Sequence, residues 1–217
     1  MYPADITTVL YELDANESKY VLDLLPPEVG AEILSDLDYD IRTDFLQYFT
    51  SEEVARYVNL MDSDDAVDIL NEQNVQRREE VIALIENEEK ADDILDLLHY
   101  EEDCAGGLMA KELIKVNINW RVRQCIEEIR RQAEDVEKIY TVYVVDNRDI
   151  LVGRVSVKAL LLSKDDKLVK DIYNPDLISI ESFRDESEVV SVMQKYDLEA
   201  IPVVNIQGRL LGRITID

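Results

Sequence analysis

The chain has 217 residues, enough for one or two domains, and 47% of them are hydrophobic, which is ample for packed cores. It carries 48 Asp plus Glu against 23 Lys plus Arg, a formal net charge of -25, which disfavours nucleic acid and anionic lipid as partners and favours cations. Cys104, Cys125 and the single histidine, His99, disfavour a zinc site or a disulfide scaffold and are typical of a reducing cytosol. Acidity of this kind can also serve only to keep a protein soluble. The positions of the acids must therefore decide between cation binding and solubility.

Residues 1 to about 100 have the pattern of consecutive short helices. Pro26 and Pro27 are typical of one helix ending and the next beginning. Thr50 and Glu53 form a capping box before an apolar stripe, and Ser63 is predicted to cap the helix that follows. A loose repeat of about 12 to 13 residues favours a superhelical stack of helices. The repeat is degenerate, so ordinary amphipathic helices of similar length stay open as the alternative.

The pattern changes near residue 100, where Gly106 and Gly107 mark a turn or linker. A helix with a buried stripe of Cys125, Ile126, Ile129 and Ala133 is predicted after this point. The strands predicted around that helix are 113–116, 139–145 and 151–157.

This layout occurs twice. The segment VYVVDNRDILVGRVSV (142–157) parallels IPVVNIQGRLLGRITI (201–216) over 16 positions, with Gly153 and Gly212 at equivalent places, 59 residues apart. The segment 177–180 likewise parallels 113–116. We therefore predict two copies of one β-α-β-β unit.

Two further patterns concern the extent of the chain. No run of 18 apolar residues occurs, and the first residues lack the basic segment and apolar run of a signal peptide. Residues 210–217 end in a strand pattern with no closing element, which predicts that the chain is cut from a larger protein.

A duplicated unit of this kind resembles the CBS motif pair. The preceding helical region, which contains LPPEVGAEILSDL and MDSDDAVDIL and continues through YEEDCAGGLM (100–109), resembles the cytosolic part of MgtE magnesium transporters, over roughly residues 20 to 217. The resemblance implies an α+β fold, with an all-helical superhelical domain followed by a tandem CBS pair. The implied domains are an acidic helical N domain at 1–103, a first CBS motif at 104–173 and a second at 174–217, truncated at its C-terminal end.

The resemblance also implies a function. Mg²⁺ bound between acidic faces of the N and CBS domains would favour a compact state that closes the pore of a magnesium channel. It implies a homodimer formed through the CBS domains, a transmembrane pore domain beyond this chain, and a place on the cytoplasmic face of the cell membrane. No catalytic motif such as G-x-S-x-G or a Gly-rich phosphate loop occurs, so an enzyme is not expected.

Carboxylates four residues apart are candidates for the magnesium sites. Glu32 and Asp36 share one helical face, and so do Asp64 and Asp68. Such pairs cost roughly 0.2–0.5 kcal/mol unless a cation lies between them, although the helix dipole alone is a sufficient reason for Asp64. The resemblance favours Glu32, Asp64 and Asp68 as Mg²⁺ ligands and supports Asp36 less.

Two more acids are candidates by resemblance. Asp185 opens a helix in the second CBS motif, where a normal first-turn acid is the alternative, and Ser187 stands where relatives would place another acid. Asp217 belongs to the acidic segment that follows the last strand, with a register uncertain by one residue. The acids at 101–103 are interpreted as solvated surface of the linker.

CBS pairs often bind adenine nucleotides, and ATP is therefore a possible partner. Tyr140 could stack on a base and Lys158 could meet a phosphate. The usual ribose-binding Asp, three residues after Ser156, is Ala159 here, which disfavours this function. The alternatives left open are an adenine-nucleotide-sensing module and an acidic scaffold that binds a basic protein, with the CBS pair only dimerising.

Overall fold

The structure is a computed structural model that describes residues 2–133, 136 and 138–216. It divides into two compact units, Met1–His99 and Tyr100–Asp217. In the described residues the first unit is helical and the second carries the strands, which confirms the predicted α+β organisation. The domain boundaries predicted at 103/104 and 173/174 stay predictions.

The helical unit repeats with a period of 36 residues. Its first helices, α1, α4 and α7, begin at Pro3, Tyr39 and Val75, each 36 residues after the last. The next helices, α2 and α5, and then α3 and α6, follow the same spacing. The repeat of 12 to 13 residues predicted from the sequence is therefore one helix of a three-helix repeat. The helices are α1 (Pro3–Leu10), α2 (Ala15–Asp23), α3 (Pro27–Asp36), α4 (Tyr39–Leu46), α5 (Ser51–Val58), α6 (Ser63–Asn71), α7 (Val75–Ala83) and α8 (Glu88–Leu97).

Arginines at equivalent positions join consecutive helices of this repeat. Arg42 on α4 donates to the carbonyl oxygens of Leu34 (3.2 Å) and Ser35 (3.1 Å) at the end of α3. Its counterpart on α7, Arg78, donates to two carbonyls at the end of α6, at 2.9 and 3.4 Å. The last carbonyls of a helix have no partner within the helix. These bonds satisfy them and fix the angle between neighbouring helices.

The predicted helix starts are partly confirmed. The Thr50 hydroxyl accepts from the backbone N–H of Glu53, and the Glu53 carboxylate accepts from the backbone N–H of Thr50, which completes the capping box. The prediction that Ser63 caps α6 is wrong, because the helix begins at Ser63 and Asp62 holds the N-cap position. The helix therefore begins one residue earlier than the serine suggested.

The second unit contains two three-stranded sheets of the same design. In each, the first strand pairs parallel with the second, and the third strand pairs antiparallel with the second. A register shift falls at Val144 in one sheet and at Val203 in the other, 59 residues apart. The elements are β1 (Ile114–Asn117), α9 (Val122–Gln132), β2 (Val142–Val145), β3 (Leu151–Val155), α10 (Val157–Leu162), β4 (Ile180–Glu181), α11 (Glu186–Tyr196), β5 (Ala200–Val204) and β6 (Leu210–Thr215).

The segment that precedes each motif lies on the opposite motif. Ala105 N donates to the carbonyl oxygen of Arg184 at 2.7 Å, and Val169 N, 64 residues after Ala105, donates to the carbonyl oxygen of Trp120 at 2.9 Å. The predicted Gly106–Gly107 turn is confirmed, and it belongs to this second unit. None of the helices in the described part of the chain combines the length and apolar character needed to span a bilayer.

Candidate functional site

The negative charge of the protein is unevenly divided between the two units. Residues 1–99 contain 26 Asp plus Glu against six Lys plus Arg, a net charge of -20. Residues 100–217 contain 22 against 17, a net charge of -5. The helical unit therefore produces most of the negative field that attracts cations.

Each basic side chain of the helical unit contacts a carbonyl oxygen or a carboxylate of the same unit. Arg42 forms a buried ion pair with Glu72, 2.6 Å long, and Arg77 donates to the carbonyl oxygen of Leu46 at 2.8 Å. Burial lowers the pKa of Arg77. The six are Lys19, Arg42, Arg56, Arg77, Arg78 and Lys90. The basic side chains of this unit are therefore engaged within it, and its net charge remains -20.

Three predicted metal ligands lie in this unit, and two of them, Glu32 and Asp68, hold equivalent positions of the 36-residue repeat. Glu32 is exposed on α3, and Asp68 is exposed at the equivalent position of α6, 36 residues later. Asp64 lies half-buried in the first turn of α6, and its equivalent on α3 is Glu28. Sequence reasoning missed Glu28, and the 36-residue period is the signal that finds it. Asp36 is exposed at the end of α3.

Asp185 lies in the second unit and serves as the N-cap of α11. Its Oδ1 accepts hydrogen bonds from the Ser187 side chain and from the Ser187 backbone N–H, the latter at 2.9 Å. These bonds lower the pKa of Asp185, the side-chain bond most, so the carboxylate is ionised at neutral pH. The cap gives Asp185 a structural role independent of any metal. Asp217, the fifth predicted ligand, lies outside the described residues.

The carboxylates suit Mg²⁺ in type but do not form a closed cage. In the described ranges, 2–133, 136 and 138–216, no three Asp, Glu, His or Cys side chains converge to hold a metal. Mg²⁺ commonly keeps several waters and takes one or two carboxylates from a protein. The assignment of Asp64 and Asp68 to Mg²⁺ therefore stays a prediction.

The predicted nucleotide residues lie in the CBS unit. The Tyr140 ring is half-buried, with the Arg213 guanidinium 4.9 Å and the Lys138 ammonium 4.2 Å from its centroid. Lys158 is exposed on α10, and Ser156 Oγ accepts from Ala159 N at 3.0 Å. Ser156 thus caps α10. Sequence reasoning assigned no role to Arg213, although its equivalence to an arginine 59 residues earlier was visible.

Tyr143 is a second feature of this region. Its side chain is 1% exposed, and among the described residues its hydroxyl has no hydrogen-bond partner. Burial raises the pKa of Tyr143 to about 12, against an opposing effect of Arg213 and Arg154. An unsatisfied hydroxyl at such a depth costs about 1–3 kcal/mol.

Comparison with known proteins identifies the family. The MgtE intracellular N domain matches residues 1–103, and the CBS domain matches residues 105–164 and 169–217. The magnesium transporter MgtE of Thermus thermophilus is 31% identical over 226 residues, covering 100% of this chain and 49% of that protein. The magnesium transporter MgtE of Bacillus subtilis is 27% identical, covering 98% of this chain and 50% of that protein. The chain thus spans about half the length of these relatives.

Two solved structures match the whole chain. The cytosolic domain of the Mg²⁺ channel MgtE in complex with ATP has a TM-score of 0.92 at 30% identity, covering 100% of this chain and 88% of that one. The soluble part of a magnesium transporter has a TM-score of 0.86 at 30% identity, covering 100% and 85%. These relatives are transporters and channels, not enzymes, as the sequence predicted. The chain therefore belongs to the MgtE family and consists of its intracellular N domain followed by CBS domains.

Proposed function

We propose that this chain is the Mg²⁺-sensing regulatory region of a magnesium channel or transporter, on the cytoplasmic face of the cell membrane. Mg²⁺ held jointly by carboxylates of the N domain and the CBS domain favours a compact state, which closes a pore formed elsewhere in the full-length protein. The observation that carries the proposal is the net charge of -20 on a helical unit whose basic side chains are all engaged. The names of the full-length relatives support Mg²⁺ as the ion.

The energetics require several ions acting together. An ion shifts the balance between two states only by its difference in affinity for them. Moving a population from 1:99 to 99:1 takes about 5.5 kcal/mol. One partly hydrated ion on an exposed carboxylate pair is too weak for this, so sites at Glu32, Asp64, Asp68, Asp185 and Asp217 are proposed to act jointly.

Calorimetric titration of the whole chain with MgCl₂ tests the proposal. Asp64→Asn with Asp68→Asn should remove part of the binding heat, because the carboxylate pair is lost. The matched control is Asp92→Asn with Asp96→Asn, which removes the same charge at the same spacing from exposed positions of α8. If both double variants lose binding equally, the response is general electrostatics and the assigned site is wrong.

Self-association is part of the same proposal. Leu161 and Leu162 on α10 are 68% and 78% exposed, which leaves an apolar face on the CBS unit. A second copy of the chain would cover such a face in a homodimer. Sedimentation of the wild type against Leu161→Ser with Leu162→Ser tests this, since the dimer should dissociate in the variant.

ATP sensing is the second candidate function, and the half-buried Tyr140 ring, with the Arg213 guanidinium 4.9 Å from its centroid, favours it. A relative of known structure was solved in complex with ATP. If ATP stacks on this ring, Tyr140→Leu should lose part of the thermal shift produced by ATP and keep the shift produced by MgCl₂. An undiminished shift with ATP would contradict this assignment.

A further inference from the structure

The second CBS motif contains a groove with mixed walls. The groove has a volume of about 380 Å³ and lies between β4, α11 and the turn that joins β5 to β6. Its polar side is formed by Glu181, Arg184 and Glu188. Val192 and Ile206 contribute aliphatic surface. The groove thus offers charge at one side and an apolar wall at the other.

The first motif crosses the equivalent positions with its own side chains. Lys115 Nζ lies 3.4 Å from Asp149 Oδ1, and Asn117 Nδ2 donates to Asn147 Oδ1 at 2.9 Å. Both contacts join β1 to the turn between β2 and β3. A lysine chain and an amide pair therefore cover this place in the first motif.

The second motif has lost both contacts. The positions of Lys115 and Asp149 are taken by Ser179 and Gly208, which are too short to meet across the groove. The positions of the two asparagines are taken by Glu181 and Ile206, whose side chains cannot hydrogen-bond to each other. The groove is therefore open at the place where the first motif carries a lysine.

The net charge of the groove favours a ligand of opposite charge. Arg184 lies 2.8 Å from a Glu181 oxygen and 3.4 Å from a Glu188 oxygen. Two carboxylates against one guanidinium leave one negative charge. Mg²⁺ keeps its water shell and gains nothing from the aliphatic wall, whereas an alkyl chain ending in an ammonium group uses both sides.

We propose that this groove binds a linear alkylammonium cation, with the ammonium group against Glu181 and Glu188 and the carbon chain along Val192 and Ile206. The cation occupies the groove that the Lys115 side chain crosses in the first motif. The proposal uses none of the carboxylates assigned to Mg²⁺, so it stands or falls separately from the proposed function.

Titration of the whole chain with n-pentylammonium chloride, followed by ¹H–¹⁵N NMR in saturating MgCl₂, tests the proposal. Mg²⁺ suppresses diffuse binding to the acidic surface. Amide shifts should concentrate at Ser179, Val192 and Ile206. Shifts spread evenly over the helical unit instead would overturn the proposal.

Two variants sharpen the test. S179K with G208D restores the pair of the first motif and should weaken binding at least about tenfold. Aspartate is tolerated there, because Gly208 has φ 81° and the equivalent Asp149 has φ 59°. Glu188→Gln should also weaken binding, and Glu127→Gln on α9 is the matched control. Wild-type affinity in S179K/G208D and in Glu188→Gln would contradict the assignment.

Discussion

The two units of this chain use repetition and charge in opposite ways. The helical unit repeats by translation every 36 residues and directs its few cations at helix ends and buried partners. The CBS unit repeats as two equivalent sheets and pairs surface cations with nearby acids, as in Arg123 with Glu127 and Arg131 with Glu128. The overall acidity therefore comes from one unit with a large negative net charge and one unit in which acids and bases are nearly balanced. We expect divalent ions to bind first to the helical unit.

The largest effect is expected where a cation holds the helical unit together. Arg42→Met breaks a buried ion pair, whose Arg42 and Glu72 side chains are 9% and 2% exposed, and frees two carbonyls at the end of α3. We expect a loss of about 3–5 kcal/mol in the free energy of unfolding, measured by urea titration. Arg56→Met is the control, since Arg56 is 49% exposed and lies 4.0 Å from Asp23. It should cost no more than about 1 kcal/mol. Equal losses would mean that the two arginines do not differ in role.

The next effect tests the twofold design of the CBS unit. A Cβ added at Gly212 would lie 2.5 Å from the carbonyl oxygen of Ala110, and one at Gly153 would lie 2.3 Å from that of Asn174. Gly212→Ala and Gly153→Ala should therefore each cost about 1–3 kcal/mol, with similar losses of melting temperature. Val190→Ala on exposed α11 should stay within about 0.5 kcal/mol. A large effect at one glycine alone would break the equivalence of the motifs.

A smaller effect tests the 36-residue period. Asp14 and Thr50 hold equivalent N-cap positions, and each is part of a capping box. Asp14→Ala and Thr50→Ala should each lower the free energy of unfolding by about 1 kcal/mol. Thr8→Ala, an exposed change within α1, serves as the control. If the two substitutions cost very different free energies of unfolding, the 36-residue period describes where the helices lie but not how strongly they are capped.

The smallest effect concerns pH and Asp185. Its pKa is lowered below the ordinary value of 3.8 by the Ser187 bonds. A depressed folded-state pKa adds stability above the ordinary value, and this stability is lost as the pH falls through the folded value. Ser187→Ala should flatten the dependence of melting temperature on pH in this acidic range. An unchanged slope would show that the Ser187 hydroxyl does not lower the pKa of Asp185.

The sequence predicted some parts of this molecule better than others. The 59-residue equivalence of Gly153 and Gly212 was visible, because strands of fixed pattern tolerate little variation. The 36-residue period was missed, because three helices of similar length blur into a shorter repeat. The groove at Ser179 and Gly208 could not be predicted, since its opening depends on which side chains fail to meet across space. The carboxylates at 32, 64 and 68 were chosen as candidate ligands from their spacing and from the family resemblance. Their joint binding of Mg²⁺ stays a prediction.

Small-angle scattering of the whole chain in MgCl₂, against KCl of equal ionic strength, tests the central claim most directly. We predict a smaller radius of gyration at millimolar Mg²⁺, and a weaker change in the Asp64→Asn, Asp68→Asn variant than in Asp92→Asn, Asp96→Asn. A radius that Mg²⁺ leaves unchanged would contradict the claim that the ion draws the acidic helical unit into a compact state.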